Sequence, residues 1–342
     1  MKLTEFFEIA IRQHASDIHL STGEIPRIRI DGVLTALDLP RLEGTAMNEL
    51  LTSYLSPESV IRVASGKAVE RSVVHDGMTF TGIAFRGGDD RLAVTFRVLA
   101  KAVPELKYIS EGADSFWREI MKLPNGLVIV AGPVNSGKWT TVCSLIEEIN
   151  ATIAARLFVI EAHPNYRFES KQGLVTQFHV GEDCESYGAA MEIAHQADLD
   201  VLAIDDVSST EALRQALVLA ETGHLVLANL HATSIPEAID RLANSLDLDP
   251  MTARMRLARN LKAVSVQRLI PRNDRPGRIA VYEWIRVTPP VKQAIIAEDS
   301  AGLNRLQASD PECRSLEQAL DDLVQSDTIS RDAAMSHQSV IE

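Results

Sequence analysis

The stretch that decides the fold is Gly126-Leu127-Val128-Ile129-Val130-Ala131-Gly132-Pro133-Val134-Asn135-Ser136-Gly137-Lys138-Trp139-Thr140. The apolar run from Leu127 to Ala131 is typical of a buried strand, and residues 140–150 have the pattern of a helix. Between them, Gly132, Gly137 and Lys138 have the G-x-x-x-x-G-K spacing of a phosphate-binding loop. This order of strand, loop and helix predicts that backbone N–H groups and a helix N-terminus hold phosphate groups.

Trp139 departs from this pattern. A Ser or Thr is expected directly after the lysine, because its hydroxyl is a ligand of Mg²⁺. An indole has no oxygen to offer a metal. The sequence therefore predicts a nucleotide pocket with an altered metal site. The residues predicted to line the nucleotide are Gly132, Asn135, Ser136, Gly137, Lys138, Trp139 and Thr140.

Length, charge and cysteine content limit the classes of function. The chain has 342 residues, of which 46% are hydrophobic, so it can bury a full core and form two domains or one large domain with a satellite. A formal charge of −13 argues against wrapping nucleic acid and against a polybasic membrane surface. The 3 cysteines are far apart and suggest neither disulfides nor a zinc site. Without a signal peptide or an apolar span, we expect a cytoplasmic protein that does not insert into the membrane.

Two kinds of pattern follow each other along the chain. A helix at residues 3–13 precedes strands that alternate with period two, and Asp31-Gly32 is a hairpin turn signal, which predicts a small α+β domain at residues 1–103. Residues 104–114 are predicted to be a linker. Strand and helix patterns alternate over residues 115–290, which predicts a parallel sheet flanked by helices. The tail, residues 291–342, is mostly helical in pattern.

Two acidic residues, Asp205 and Asp206, directly follow the strand predicted at Val201–Ile204. In a parallel-sheet nucleotide hydrolase, such an acid faces the metal and the attacking water, so either residue would hold Mg²⁺ directly or through water. The alternative is an acid that caps a helix at the end of a strand. The phosphate-binding loop upstream favours the metal role.

Several motifs in this order resemble those of the type II/type IV secretion ATPases, and most closely the PilT-type pilus retraction ATPases. They are Ala15-Ser16-Asp17-Ile18-His19-Leu20, the loop from Gly132 to Lys138, Ile160-Glu161, Glu169-Ser170-Lys171, Glu221-Thr222-Gly223-His224-Leu225-Val226 and Leu230-His231-Ala232-Thr233-Ser234. The resemblance covers nearly the whole chain. It implies a PAS-like α+β domain, then a RecA-like P-loop domain with a helical C-terminal extension.

The resemblance also assigns roles to residues, and this chain departs from several of them. The acidic box of the family, I-E-D-P-I-E, corresponds here to residues 160–165, so Glu161 is kept and Asn165 stands where the catalytic Glu is expected. An amide is not a general base at neutral pH. The family motif G-E-M-R-D corresponds to residues 205–209, so Asp206 stands where the family has Glu and its side chain is shorter by one methylene. His224 and His231 are kept, as histidines that sense nucleotide or bridge to a neighbouring subunit; an ordinary buried histidine is the alternative.

In the family, arginines from a neighbouring subunit complete the active site. Arg86, Arg91 and Arg97 are the candidates, and Arg97 matches the family pattern best. Surface arginines on an edge strand are the alternative for each of them. The resemblance further implies ATP and Mg²⁺ as cofactors, a homo-hexamer or a mixed ring with a paralogous motor ATPase, and an inner-membrane pilus platform protein as partner at the cytoplasmic face.

The departures from the family motifs affect the positions that bind metal and water, whereas the residues that bind phosphate are kept. We therefore expect a PilT-like motor protein that binds ATP and whose hydrolysis is impaired. Thr140 or Asp205 could also replace a lost ligand, in which case slow hydrolysis would persist. The alternative function is a non-hydrolysing subunit that regulates or scaffolds a paralogous pilus motor. A RecA-type translocase of nucleic acid fits the charge of −13 poorly.

Overall fold

The computed structural model describes residues 2–30, 32–99 and 102–338. The chain forms two compact units. One comprises the chain up to Ala102 together with Pro164–Arg167, and the other comprises Val103–His163 and the chain from Phe168 onward. The predicted boundaries after residues 103, 114 and 290 stay predictions. No helix among the described residues is long and apolar enough to cross a membrane.

The first unit is an antiparallel sheet with helices. Its elements are α1 (Leu3–Arg12), β1 (Asp17–Ser21), β2 (Arg27–Ile30), β3 (Val33–Ala36), α2 (Gly44–Tyr54), α3 (Pro57–Ala64), β4 (Val69–His75), β5 (Met78–Arg86) and β6 (Leu92–Val98). The 6-stranded sheet has the order β3-β2-β1-β6-β5-β4, and every neighbouring pair is antiparallel. The predicted small α+β domain is confirmed.

Apolar residues of α1 form the core of this unit with the sheet. Phe6 and Phe7 are fully buried, and the ring of Phe7 stacks on Phe80 of β5 with 4.0 Å between centroids. β2 and β3 pair antiparallel around the predicted turn. Asp31 of that turn lies outside the described residues, whereas Gly32 has φ +85, a conformation that favours glycine.

The second unit is an α/β domain. Its elements are α4 (Leu106–Ile109), α5 (Asp114–Ile120), β7 (Gly126–Gly132), α6 (Lys138–Thr152), β8 (Arg156–Glu161), β9 (Leu174–His179), α7 (Tyr187–Gln196), β10 (Val201–Ile204), α8 (Thr210–Glu221), β11 (Leu225–His231), α9 (Ile235–Asn244), α10 (Pro250–Asn260), β12 (Leu261–Pro271), β13 (Arg278–Arg286), α11 (Pro289–Ile296), α12 (Ser300–Ser309), α13 (Leu316–Gln325) and α14 (Arg331–Gln338). The 7-stranded sheet has the order β13-β12-β7-β11-β10-β8-β9. All neighbouring pairs are parallel except β12 and β13.

Both faces of this sheet are covered. In β7, Leu127, Ile129 and Ala131 belong to one apolar core, and Val128 and Val130 belong to a second core on the other face. A strand that is buried on both sides has an unbroken apolar sequence, as β7 does. The predicted parallel sheet flanked by helices is therefore confirmed.

The β12–β13 hairpin has no counterpart in the sequence analysis. Its strands carry buried polar side chains that interrupt the apolar pattern, namely Ser265, Gln267, Arg268 and Glu283. Periodicity alone does not identify such strands. In the C-terminal tail, the predicted helical pattern corresponds to α11–α14, and residues 339–342 lie outside the described residues.

Candidate functional site

The phosphate-binding loop lies at the carboxyl edge of the parallel strands. β7 ends at Gly132, and α6 begins at Lys138. Gly137 precedes the helix with φ +83, and Asn135 has φ +62, so the backbone turns sharply within the loop. The first N–H groups of α6 have no partner inside the helix, which makes this end suitable for an anion.

Close packing against β12 explains why the loop needs glycine. A Cβ atom at Gly132 would lie 2.4 Å from the carbonyl oxygen of Gln267 and 2.6 Å from Oγ of Ser136. At Gly137, a Cβ atom would lie 3.0 Å from Nε2 of Gln267. The backbone of β12 therefore supports the loop from behind.

Lys138 and His231 lie together at the loop. Nζ of Lys138 donates a hydrogen bond to the carbonyl oxygen of Pro133 at 2.8 Å and lies 3.5 Å from Nδ1 of His231. Burial lowers the pKa of Lys138 to about 8, although the charge of Asp206 acts in the opposite direction. His231 is aligned with Gly132 in the register of β11 and β7. The structure thus brings these two predicted site residues together.

Trp139 binds a buried carboxylate. Its Nε1 donates to Oε2 of Glu161 at 2.8 Å, and Nε2 of Gln177 donates to Oε1 of the same carboxylate at 3.1 Å. Glu161 is 1% exposed. The residue that departs from the loop motif and the acid that the family keeps are therefore directly linked.

Asp205 and Asp206 also accept hydrogen bonds from the protein. Asp205 accepts from the hydroxyl of Tyr187 at 2.6 Å and from the N–H of Ala162 at 2.9 Å. Burial raises the pKa of Asp205, although both of these hydrogen bonds lower it. Oδ1 of Asp206 accepts from N and Oγ of Ser208, at 2.8 and 2.5 Å, as a turn-capping acid does.

His224 does not line the phosphate loop. It directly precedes β11, and its carbonyl oxygen accepts a hydrogen bond from the N–H of Gly126 at 3.0 Å, at the amino edge of the sheet. Its ring contacts His195 edge-on, with 5.4 Å between centroids. The roles predicted for His224, in sensing nucleotide or in bridging to a neighbouring subunit, stay predictions.

The remaining predicted residues belong to the first unit. Asn165 lies in the segment Pro164–Arg167. Arg97 of β6 pairs with Asp17, with 3.7 Å between Nε and Oδ1, and its side chain is 61% exposed. Arg86 and Arg91 likewise have carboxylate partners, Asp90 at 3.3 Å and Glu24 at 3.5 Å. The roles predicted for these arginines toward a neighbouring chain stay predictions.

A buried network of polar side chains lies next to the loop, and no sequence motif predicted it. Oγ1 of Thr141 donates to Gln267 at 2.8 Å and lies 3.1 Å from the hydroxyl of Tyr282, which donates to the carbonyl oxygen of Ile109 at 2.8 Å. Beside the network is a cavity of about 230 Å³. Its lining includes Gly137, Thr140, Tyr108, Leu269, Arg275, Arg278 and Ile279.

Similar proteins share this architecture. PilT of Pseudomonas aeruginosa, described as a type IV pilus retractation ATPase, is 31% identical over 87% of this chain and 86% of its own length. YggR of Escherichia coli K12, described as uncharacterized, is 31% identical over 86% of this chain and 89% of its own. PilU of P. aeruginosa, described as a type IV pilus ATPase, is 24% identical over 98% of this chain and 88% of its own.

The solved structures agree with these relatives. A crystal structure of the pilus retraction motor PilT with bound ADP superposes with a TM-score of 0.89 at 30% identity, covering 98% of this chain and 97% of that one. The profile of the family described as type II/IV secretion system protein matches residues 90–334. With that match and with relatives that are similar over most of both lengths, the chain belongs to the type II/IV secretion system protein family and is a PilT-like member of it.

Proposed function

We propose that this chain is a nucleotide-binding subunit of a type IV pilus motor and that its hydrolysis of ATP is impaired. One observation carries the proposal. The loop from Gly132 to Lys138 keeps the shape and the lysine of a phosphate site, whereas the positions that the family motifs assign to metal and water carry an indole, Trp139, and an amide, Asn165.

The loop fits a phosphate chain. Oγ of Ser136 is buried and has no hydrogen-bond partner among the described residues, so it is a donor in need of an acceptor. Lys138 donates into its own loop, at Pro133, and could turn from that carbonyl oxygen to a phosphate oxygen. Together with the N–H groups at the start of α6, these groups supply the donors that bind phosphate in such loops.

The cavity beside Thr140 is a suitable place for the base and ribose. Leu269 and Ile279 give it an apolar side, and Tyr108, which is 68% exposed, offers an aromatic ring at its margin. The cavity has a volume of about 230 Å³ and Gly137 of the loop is part of its lining, so a base placed there would lie next to phosphates bound by the loop.

Hydrolysis needs a group that takes a proton from water. In this chain, the residue at the position expected for that group is not an acid. Asn165 replaces the expected carboxylate and cannot act as a base at neutral pH. Asp205 is engaged by Tyr187 and Ala162. Binding without rapid turnover is therefore the state that these residues favour.

A ring is the assembly that we propose, either of six copies or mixed with a paralogous motor, acting on a pilus platform protein at the cytoplasmic face of the inner membrane. The presence of both PilT and PilU in P. aeruginosa supports a pairing of related motors. Arg97 is 61% exposed and could reach a nucleotide in an adjacent copy.

A second function is supported by the same substitutions. With Trp139 and Asn165 in place, the chain could serve as a non-hydrolysing subunit that regulates or scaffolds an active paralogue. The two functions differ in turnover, since only a motor hydrolyses ATP in step with its work.

Nucleotide binding and steady-state hydrolysis by the purified chain test the proposal. We expect ATP and ADP to bind, Lys138→Ala to weaken binding by about 100-fold, which corresponds to about 3 kcal/mol, and phosphate release to stay well below the ~1–10³ s⁻¹ of ordinary enzymes. Normal turnover would rule out impaired hydrolysis. A chain that binds no nucleotide would overturn the proposal as a whole.

A further inference from the structure

The residues that would hold Mg²⁺ in a phosphate-loop site of this family do not fit the ion here. The position after Lys138 has an indole instead of a hydroxyl, and that indole donates its N–H to Glu161. Magnesium prefers oxygen ligands in an octahedral arrangement and several waters around it. A ring at this position that donates its N–H to a buried carboxylate offers the ion no oxygen ligand.

The carboxylates around the loop are also engaged by the protein itself. Glu161 accepts from Trp139 and from Gln177, at 2.8 and 3.1 Å, and it is 1% exposed. Asp205 accepts from Tyr187 and Ala162. Within the described part of the chain, no group of three or more His, Cys, Asp and Glu residues is arranged to hold a metal ion.

The positive charge that remains at the loop is that of Lys138. Its Nζ lies 3.5 Å from Nδ1 of His231 and 2.8 Å from the carbonyl oxygen of Pro133, which hold the ammonium group at the loop. The ammonium group of Lys138 can pair with a phosphate oxygen directly, with no metal ion between them. The residues therefore suit a nucleotide that arrives without its cation.

We propose that this site binds free nucleotide rather than the magnesium complex, and that Trp139 sets this preference by holding Glu161 and excluding the metal. The inference rests on the proposed function, since it presupposes that Gly132 to Lys138 bind nucleotide. Trp139 is thus a specificity-determining residue, because its indole N–H binds the acid Glu161 directly.

Equilibrium binding of ATP and ADP to the full-length chain, in EDTA and in excess Mg²⁺, tests the inference. We expect the affinity of the chain to be equal within about threefold in the two buffers, or higher in EDTA. Trp139→Ser restores the hydroxyl and frees Glu161, so its affinity in Mg²⁺ should rise by about tenfold or more, equivalent to 1.4 kcal/mol. The readout is the ratio of the affinity in Mg²⁺ to that in EDTA, which should rise by about tenfold or more relative to the ratio of the unmodified chain.

Trp139→Phe is the matched control, because it keeps a ring at the position but offers neither an N–H group nor an oxygen. We expect it to remain insensitive to Mg²⁺, and thermal unfolding checks that each variant is folded. Should Trp139→Ser not fold, Trp139→Thr serves in its place: it also supplies a hydroxyl and no N–H group for Glu161, and its affinity in Mg²⁺ should again rise by about tenfold or more.

The outcomes separate the two proposals. Affinity of the unmodified chain that rises about tenfold or more with Mg²⁺ would overturn the inference and leave the nucleotide site intact. A lack of binding in both buffers, with Lys138→Ala no different, would instead reject the proposed function, and the inference with it. A Trp139→Ser variant that binds well but gains nothing from Mg²⁺ would also contradict the role given to Trp139.

Discussion

The ammonium group of Lys138 donates to the carbonyl oxygen of Pro133 at 2.8 Å, within the same loop. A phosphate ligand must compete with this internal bond, which links the loop conformation to the charge on the lysine. Burial has already lowered the pKa of Lys138 to about 8. The protonation of one side chain therefore governs how strongly the loop attracts an anion.

We predict that nucleotide affinity falls as the pH rises above about 8. The free chain loses the proton of Lys138 there, whereas a bound phosphate holds that proton, so binding takes up a proton and the association constant falls by up to about tenfold per pH unit. Affinity measured from pH 7 to 9.5 checks this, and Lys138→Arg should give a flat profile because a guanidinium stays charged. A flat profile for the unmodified chain would contradict the assignment.

As the pH rises, Lys138 should stabilise the free chain more, whereas the affinity for nucleotide falls. The folded pKa of Lys138, about 8, lies below the value of about 10.4 in an unfolded chain, so the unfolded state binds more protons between these two pH values. The contribution of Lys138 to the free energy of unfolding therefore rises with pH in this window. A loss of affinity above pH 8 cannot then be attributed to unfolding at this residue.

Gly132 and Gly277 make a matched pair for the loop geometry. Both have positive φ, +154 and +112, but a Cβ atom at Gly132 meets the backbone of Gln267 at 2.4 Å, whereas at Gly277 nothing lies within 4 Å. We expect Gly277→Ala to cost about 1–3 kcal/mol of backbone strain, and Gly132→Ala to cost about 1–3 kcal/mol more from overpacking. Urea unfolding measures both, and equal losses would argue against close packing on β12.

The hydrogen bond from Tyr187 to Asp205 should stabilise the second unit. Removing the donor leaves a buried carboxylate short of a partner, so Tyr187→Phe should lower the free energy of unfolding by about 1–3 kcal/mol at pH 7. Because burial already raises the pKa of Asp205, the loss should shrink as the pH falls and the acid becomes protonated. Tyr108→Phe, at a side chain that is 68% exposed, should change stability by less than about 0.5 kcal/mol.

The two histidines show what the sequence could and could not predict. His231 follows His224 by seven residue steps of extended chain, which at about 3.3 Å per step is about 23 Å. Once β11 was predicted as a strand, the two side chains could already be placed at opposite edges of the sheet. The motif alone does not show this separation, and the structure places His224 at the amino edge and His231 beside Lys138.

Other contacts needed the tertiary structure. β7 and α6 could be predicted because the loop and its flanking strand and helix are contiguous in sequence. The bond between Trp139 and Glu161 joins residues from α6 and β8, which are brought together only by the sheet order. Gln267 lies on β12, a strand that the hydrophobic pattern did not predict because it contains buried polar residues.

Restoring the expected groups should restore turnover. We predict that Trp139→Ser, Asn165→Glu and Asp206→Glu together raise ATP hydrolysis well above the parent chain, whereas each single change does little. Groups that act on one metal and one water work as a unit, so their effects do not add. Steady-state phosphate release measures this, and adding Lys138→Ala should abolish the gain. A triple variant that stays at background would mean that more than these three positions is altered.

Self-association is the prediction that distinguishes a ring subunit from a solitary module. A pocket that relies on Lys138 for its charge would gain from an arginine of a neighbouring copy, and a contact of this head-to-tail kind closes into a ring. Light scattering coupled to chromatography should therefore show a larger species, expected to be six subunits, with nucleotide or with a related motor ATPase. Arg97→Ala should weaken the nucleotide-dependent step, while Arg91→Ala should not. A monomer under every condition, with no association to a related motor, would exclude the ring and leave a nucleotide-binding module that acts alone.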